Sequence, residues 1–564
     1  MTFSFPALNF DKPANWSTLF LHGLGCLWCL PFIYHRGMYP ISTFAAEWLA
    51  MLIGLILLLA LLLTRRQQLS LPYIMMLPLG LAGLIALQMR FNPDLIAAEA
   101  QLGLLYLLWA ALMVMLAATI RAEFGLSLSA DYLAAYLLFG GLFNLLVELF
   151  NTDSSTMFGL GGIGQSNLHS DYLFLALYAL IYLYARRTIK FSTLLISLIA
   201  LSFESALSTS RSAFLYIIAA GLLLAFFRKI PLASFKRLKT GYLLLAGFYI
   251  VWQIILPWLG VATSFNRLNT LAADGKTPSL RLFIWEDAWG FWQQNPWLGA
   301  GFGRFDWLFF NHARFHDHGF IDSRIEHAHN IVLQLLVEMG SLGCNWFLIM
   351  MGLWVWHVLK QPAKLRQFWL LSLFSILAIH SLLEYPLWYS QFLGVFAILL
   401  GLGETRNFTL SLSKPIRFTM LTVPLLGLYL LLLTGSNYLR LEKFYEASVR
   451  GLDMSAQLDD IVPISNAGLL APYGQKYFAF TFKMDSDQAE AKAAVVDKAI
   501  HFEPIPALAY KQVLYSAYLG KTELAKQQYH LALVAYPPEN KWFLWEVSRL
   551  NPADQAKLGF LWTN

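Results

Sequence analysis

The sequence predicts an all-α polytopic membrane protein, and three observations carry that prediction. Of its 564 residues, 58% are apolar and only 13% are charged, with a mean hydropathy of +0.54. An ordinary soluble domain carries about 25% charged residues. A spanning helix needs about 20 mostly apolar residues, and such runs recur here about thirteen times, centred near residues 25, 53, 80, 111, 140, 178, 198, 219, 250, 343, 375, 396 and 427. Finally, the cations fall on alternate connections between these runs. Together these features exclude a disordered chain, a coiled coil and a disulfide-stapled scaffold.

The first apolar run, residues 19–34, lacks a following small-residue cleavage site and reads as a retained span. Its Cys26 and Cys29, like Cys344 in a later run, read as helix packing, so no redox or disulfide framework is expected. Arg65–Arg66, Arg121, Arg186–Arg187–Lys190, Arg228–Lys229 with Lys236–Arg237–Lys239, Lys360–Lys364–Arg366, and Arg406 with Lys414–Arg417 occupy alternate loops. The short loops on the other side hold Arg36, Arg90 and Arg211. Cations sort to the cytoplasmic side, so the N-terminus is expected there and the C-terminus in the periplasm of a Gram-negative cell. The net charge of +6 is accounted for by this sorting, and no nucleic-acid partner is expected.

Two segments are too polar for lipid. One is an outer loop over about residues 260–329, between the ninth and tenth spans. The other is a tail, 436–564, so the chain divides into a transmembrane catalytic unit, 1–435, and a small outer helical domain. Helices are expected at 487–502, 505–519 and 522–536. Pro504 and Pro537 stand 33 residues apart, close to the tetratricopeptide period of about 34. Either a TPR-like repeat or a generic helical hairpin satisfies that spacing.

Ionisable groups beside membrane spans are costly and default to functional hypotheses. The informative ones share the outer side. GGIGQSNLHSDYL offers Gln165, Asn167 and His169 before the sixth span; ESALSTSRSAFLY places Arg211 between the seventh and eighth. Arg281 opens SLRLFIWEDAWGFWQQNPWLGAGFG, and EHAHNIVLQLLVEMG puts His327 and His329 at the start of the tenth span. The eleventh ends in HSLLEYPLWYS, with Glu384 and Tyr385 ahead of the helix-breaking Pro386. Each has a bland reading: Gln165 as a helix cap, Arg211 as an interfacial snorkeller, Glu384–Tyr385 as a turn, His329 as a cap or core histidine. Jointly they describe an outward-facing site for an anionic substrate delivered from the membrane. The guanidinium fork matches phosphate oxygens, so two arginines can hold a lipid-linked diphosphate leaving group. A histidine can take the proton of an incoming hydroxyl.

Other patterns carry less. Trp285, Trp289 and Trp292 form an aromatic helical face that suits the bilayer surface, a polyprenyl chain or a sugar. Gly299, Gly301 and Gly303 in GAGFG read as a tight turn, since no strand precedes a nucleotide loop. His312, His316, Asp317 and His318 have no established ligand spacing, so no metal is assigned. Glu286–Asp287 reads as a solvated helix face.

RLFIWEDAWGFWQQNPWLGAGFGRF followed by HAHNIVLQLLVEMGSLG resembles the signature of the O-antigen ligase/polymerase superfamily (Wzy_C). With GQSNLHSDYL, EYPLWYSQF and the helical tail, the layout is most similar to the PglL-type bacterial protein O-oligosaccharyltransferases. The resemblance implies a metal-independent, cofactor-free inner-membrane enzyme with a periplasmic site. It would transfer a glycan en bloc from an undecaprenyl-pyrophosphate carrier to Ser or Thr of a periplasmic protein such as pilin. It implies that His329, Gln165 and Tyr385 correspond to the family's functional histidine, glutamine and tyrosine, and Arg211 and Arg281 to its diphosphate arginines. The family's motif runs Gly-Gln-x-Asn-His, whereas here Leu168 separates Asn167 from His169. Within the superfamily the alternatives are ligation of O-antigen to lipid A–core, or O-antigen polymerisation. From another class, a flippase or transporter is disfavoured, because the polar groups cluster at one face instead of the midplane.

Overall fold

The computed structural model describes residues 16–34, 39–64, 68–150, 163–264, 280–312, 324–362, 364–450 and 458–562. Arg36, Arg65, Arg66, His316, Asp317 and His318 lie outside them. The chain runs α1 (Trp16–Leu27), α2 (Leu30–Ile33), α3 (Phe44–Leu63), β1 (Gln68–Pro72), α4 (Met76–Phe91), α5 (Ala97–Phe150), α6 (Ser166–Ala185), α7 (Phe191–Leu207), α8 (Ser212–Phe226) and α9 (Leu232–Trp258). The polar segment between α9 and the next long helix contributes α10 (Leu280–Gln294) and α11 (Phe305–Asn311). Then come α12 (Ile331–Lys360), α13 (Leu365–Ser381), α14 (Ser390–Gly403), β2 (Asn407–Ser411) and α15 (Lys414–Val449). The tail holds α16 (Leu458–Asn466), α17 (Ala471–Phe480), α18 (Ala489–Phe502), α19 (Pro506–Tyr518), α20 (Thr522–Ala535), α21 (Pro537–Ser548) and α22 (Pro552–Lys557).

Every expected span centre falls in an apolar helix, and the molecule is a multi-pass membrane protein. Among the described residues, 7 helical stretches are long and apolar enough to cross a membrane, with shorter apolar helices at Thr18–Ile33, α7, α8, α13 and α14. Two expected spans, near 111 and 140, follow each other without a loop: α5 is two helices that abut at Gly125, where φ 72 and ψ 159 are not helical. At 1.5 Å per residue each arm, on either side of Gly125, measures roughly 40 Å, enough to cross a hydrocarbon core of about 30 Å. At the centre of the bundle stands α6, buried along its apolar length among α5, α7, α9 and α13.

One departure from all-α is a two-stranded antiparallel ribbon, β1 on β2, pairing Gln68 with Ser411 through Pro72 with Asn407. It joins two of the cation-bearing connections. At the same end Arg121 donates to the carbonyls of Leu402 and Glu404, Arg417 to those of Leu62 and Thr64, and Arg237 to that of Tyr184. Cations thus hydrogen-bond carbonyls at the ends of α14, α3 and α6. The opposite end carries α10, α11 and the start of α12.

The tail is not a separate bead. Helix α15 passes unbroken through Ser436, where the sequence places the domain boundary. Its Tyr438 hydroxyl donates to the Ile41 carbonyl at 2.9 Å and its ring stacks on Phe44 at 3.6 Å. Helices α18, α19 and α20 form where the sequence places them and pack in sequence order, α19 between its neighbours. Phe310 of α11 belongs to their apolar core.

Candidate active site

Three pieces of backbone converge at the end of the bundle opposite the ribbon. The first is the start of α6, where Gln165 stands at the N-cap and its Oε1 accepts from Leu168 N at 2.7 Å. The second is the segment 324–330 leading into α12. Asn330 caps that helix, its Oδ1 accepting from Val332 N at 3.0 Å and Leu333 N at 3.3 Å. The third is the turn after α13. A residue before proline is pushed out of the helical region, and Tyr385, at φ -129 and ψ 50, precedes a short 3-10 turn, Pro386–Trp388.

Glu384 joins the three. Its Oε2 accepts from His329 Nδ1 at 2.7 Å, and its Oε1 accepts from Asn167 Nδ2 at 3.2 Å and from Arg281 Nη2. Burial pushes the Glu384 carboxyl up, but the hydrogen bond and charge of His329 and the Arg281 guanidinium outweigh it and hold it below the usual carboxylate range. An ionised carboxylate only accepts, so Nδ1 of His329 carries a proton, and in the neutral tautomer this pairing selects the lone pair lies on Nε2. His329 sits in the left-handed region, φ 49, where a non-glycine residue is strained and persists only if its surroundings dictate it. They do: Ala328 just before it donates its N–H to Gln334 Oε1 at 2.7 Å and accepts at its carbonyl from Trp285 Nε1 at 2.9 Å.

Tyr385 packs against both histidines, its ring centroid 4.1 Å from that of His327 and 5.5 Å from that of His329. Burial raises its phenol pKa, so it remains a donor. Burial, with the charges of His329 and Arg324, pushes His327 down to about 3. His327 is therefore a neutral packing ring and a weak base, and the two neighbouring histidines have different work.

Of the sequence-predicted residues, His329, Arg281, Glu384, Asn167 and Tyr385 come together. Gln165 is exposed and caps α6 two residues before Asn167. Arg211 is exposed at the start of α8, five residues before Tyr216. Tyr216 in turn reaches His380 Nδ1 at 3.0 Å, one helical turn below Glu384, so Arg211 lies at the same end of the bundle. His169 points elsewhere. It is fully buried, with its Nε2 3.0 Å from Glu204 Oε1, so it faces α7 and not the Glu384 cluster.

The loop that carries α10 and α11 braces this site. Gly299, Gly301 and Gly303 adopt φ of 74, 114 and 79 and form the expected tight turn. Ala300 N donates to the Val337 carbonyl at 2.8 Å, while Gln88 of α4 and Asn92 just past its end donate to the carbonyls of Leu298 and Ala300. A kink in α12 at Gly340 receives it: a Cβ there would meet the Trp297 carbonyl oxygen at 2.2 Å. Trp292 donates to Pro296 O and Ser341 Oγ, so with Trp285 it anchors the loop, and Trp289 is the exposed member of the aromatic face. Asp287 is buried at 4% exposure, which corrects its reading as a solvated face, and Glu286 is exposed. His312 packs edge-on to Phe291 at 5.0 Å.

Sequence reasoning missed a buried pair beneath the site: His380 Nδ1 lies 2.9 Å from Asp171 Oδ1, which also accepts from the Tyr216 hydroxyl. An aspartate and a histidine inside two apolar runs were the available signal.

Two family signatures match the chain: O-antigen ligase over residues 196–348, and virulence factor membrane-bound polymerase, C-terminal, over 368–549. The first ends eight residues after Gly340 and includes Arg211, Arg281 and His329; the second begins within α13 and includes Glu384, Tyr385 and much of the tail. A general O-oligosaccharyltransferase from Acinetobacter baylyi is 26% identical over 399 residues, covering 65% of this chain and 67% of that protein.

Proposed function

We propose that the chain is a protein O-oligosaccharyltransferase of the O-antigen ligase superfamily, taking its glycan from a lipid-linked pyrophosphate; the two signature matches and the similar protein support this reading. The observation that carries the mechanism is the bridge made by Glu384 between His329 and Arg281. One carboxylate both fixes the histidine tautomer and holds a guanidinium beside it. In the reaction the acceptor Ser or Thr oxygen attacks the anomeric carbon of the donor and the bond from that carbon to the phosphate oxygen breaks. The lipid pyrophosphate leaves with the electron pair. His329 Nε2 takes the acceptor proton as the new bond forms, and Glu384 stabilises the imidazolium. Arg281, with Arg211 at the same end, meets the charge that grows on the leaving group. Tyr385 and Asn167 orient the reacting groups, and Gln165 sets the mouth of α6.

In this reading the chain crosses the inner membrane thirteen times, α5 twice. The cation-rich end with the ribbon faces the cytoplasm, and the site and tail face the periplasm. The acceptor is a periplasmic protein, pilin or another, and the tail, repeat-like or not, is the surface that meets it. The second reading is O-antigen ligation to lipid A–core or O-antigen polymerisation, favoured by the descriptions of both matching families.

The test is intact-mass analysis of pilins and other periplasmic proteins from cells supplying a lipid-linked glycan, wild type beside His329→Ala. A glycan-sized increment that falls by about 10²-fold or more in the variant, at equal membrane abundance, supports the reading. Altered lipopolysaccharide with unmodified protein would select the second one.

A further inference from the structure

The histidine segment is held from outside the membrane bundle. Arg324, five residues before His329, sits among three carboxylates from three parts of the chain. Its Nε donates to Asp306 of α11, its Nη1 to Glu326 at 2.8 Å, and the same Nη1 reaches Glu503 at 3.1 Å. Glu503 ends α18 in the tail, and its other oxygen accepts from Lys476 Nζ of α17 at 2.7 Å. Asp306, Glu503 and Lys476 side chains are 9%, 13% and 8% exposed, whereas Arg324 is 26% and Glu326 50% exposed, so the bonds from Arg324 to Asp306 and Glu503 are the shielded part of the network and Glu326 is its rim.

Between Arg324 and the Asn330 cap there is little slack. Ile325 is buried with Ile284, Phe291 and Phe305. Ala328 is held at both its backbone donor and acceptor, and His329 carries the left-handed φ. A residue in that conformation returns to an ordinary one unless both flanks are fixed. The Asn330 cap fixes the downstream flank, and the Trp285 and Gln334 bonds to Ala328 fix the residue immediately upstream. The upstream flank ends on Arg324, whose contacts come from α11, its own segment and the tail. Trp307 on His501, with ring centroids 3.9 Å apart, and Phe310 on Tyr536 clamp α11 to the same tail helices.

We infer that Glu503 is a positioning residue for the transfer reaction: through Arg324 the tail holds the 324–330 segment and sets His329 against Glu384. The inference rests on the role given to His329 above. It makes the tail part of the catalytic apparatus and not only a place where an acceptor docks.

The experiment measures kcat and both KM values on the purified full-length enzyme with a lipid-pyrophosphate glycan and a hydroxyl-bearing acceptor peptide. The variants are Glu503→Gln, Arg324→Gln, their double, and Lys476→Gln, with thermal unfolding of each. A shift of His329 by a fraction of an ångström lowers kcat by about tenfold in Glu503→Gln and in Arg324→Gln while both KM values stay within about twofold. The double variant should be no slower than the slower single one, because both break one link. Lys476→Gln breaks the tail's internal half of the network and should keep its kcat. Unchanged kcat in Glu503→Gln, a loss confined to acceptor KM, additive losses in the double, or an equal kcat loss in Lys476→Gln would each overturn the inference. His329→Ala run alongside separates the two claims: if it retains activity the proposed mechanism fails, whereas a dead His329→Ala beside a fully active Glu503→Gln removes only the role of the tail.

Discussion

Glu384 makes three contacts with three separate segments, and none of those pairings is visible along the chain. Asn167 lies 217 residues from it, Arg281 103 and His329 55. The sequence supplied the candidates, because polar groups flanking apolar runs stand out. It could not rank them, because ranking needs the contacts. His169 shows the limit: two residues from Asn167, it points into the bundle at Glu204. Replacing Glu384 with Gln keeps the shape and removes the charge that fixes the tautomer of His329, so transfer should fall by about 10²–10⁴-fold. The same substitution has a signature in stability. A carboxyl held below its ordinary value of 4.5 stabilises the fold fully above that pH and loses the contribution as pH falls through the lowered value. Melting temperature should therefore drop less steeply on acidification below 4.5 in Glu384→Gln than in the wild type, and parallel curves would remove Glu384 from that role.

Among the elements, the two kinked helices were the least legible. Apolar periodicity finds helices but does not say whether two spans meet at a single residue, as at Gly125 in α5, or where a loop will dock, as on α12. Both kinks use a glycine in a region closed to other residues, Gly125 at φ 72 and Gly340 at φ 64 with ψ -171. The surroundings differ. A Cβ at Gly125 meets nothing within 4 Å, whereas one at Gly340 meets the carbonyl of Trp297. Gly125→Ala should cost only the backbone strain, about 1–3 kcal/mol. Gly340→Ala adds displacement of the docked turn, about 1–3 kcal/mol more. Thermal unfolding in detergent should rank them in that order, with transfer activity lost chiefly in Gly340→Ala because the turn braces the start of α12. The ribbon of β1 and β2 was also hidden, since five residues beside a charged loop give no alternation long enough to read.

At the scale of the whole molecule, two independent lines agree on what lies at each end. Charge alternation sorts the loops, and the ribbon and the cation-to-carbonyl bonds gather those same loops at one end, away from Glu384. A cysteine placed at Ser413 should therefore resist a membrane-impermeant thiol reagent in cells with a permeabilised outer membrane, while one at Thr522 in the tail reacts. The opposite pattern would invert the assigned orientation. Composition alone made the membrane class readable, and the tail helices followed from their prolines. How the tail joins the rest did not, because Phe310, Trp307 and Arg324 look like ordinary loop residues until they are seen against it. That joint sets a rule for recombining these enzymes. Phe310 belongs to the tail's apolar core although it precedes the tail by more than a hundred residues. A chimera that exchanges only the residues after Ser436 would leave a hole in the graft and a bare phenylalanine on the recipient, so the exchangeable unit is the tail together with Phe305–Asn311.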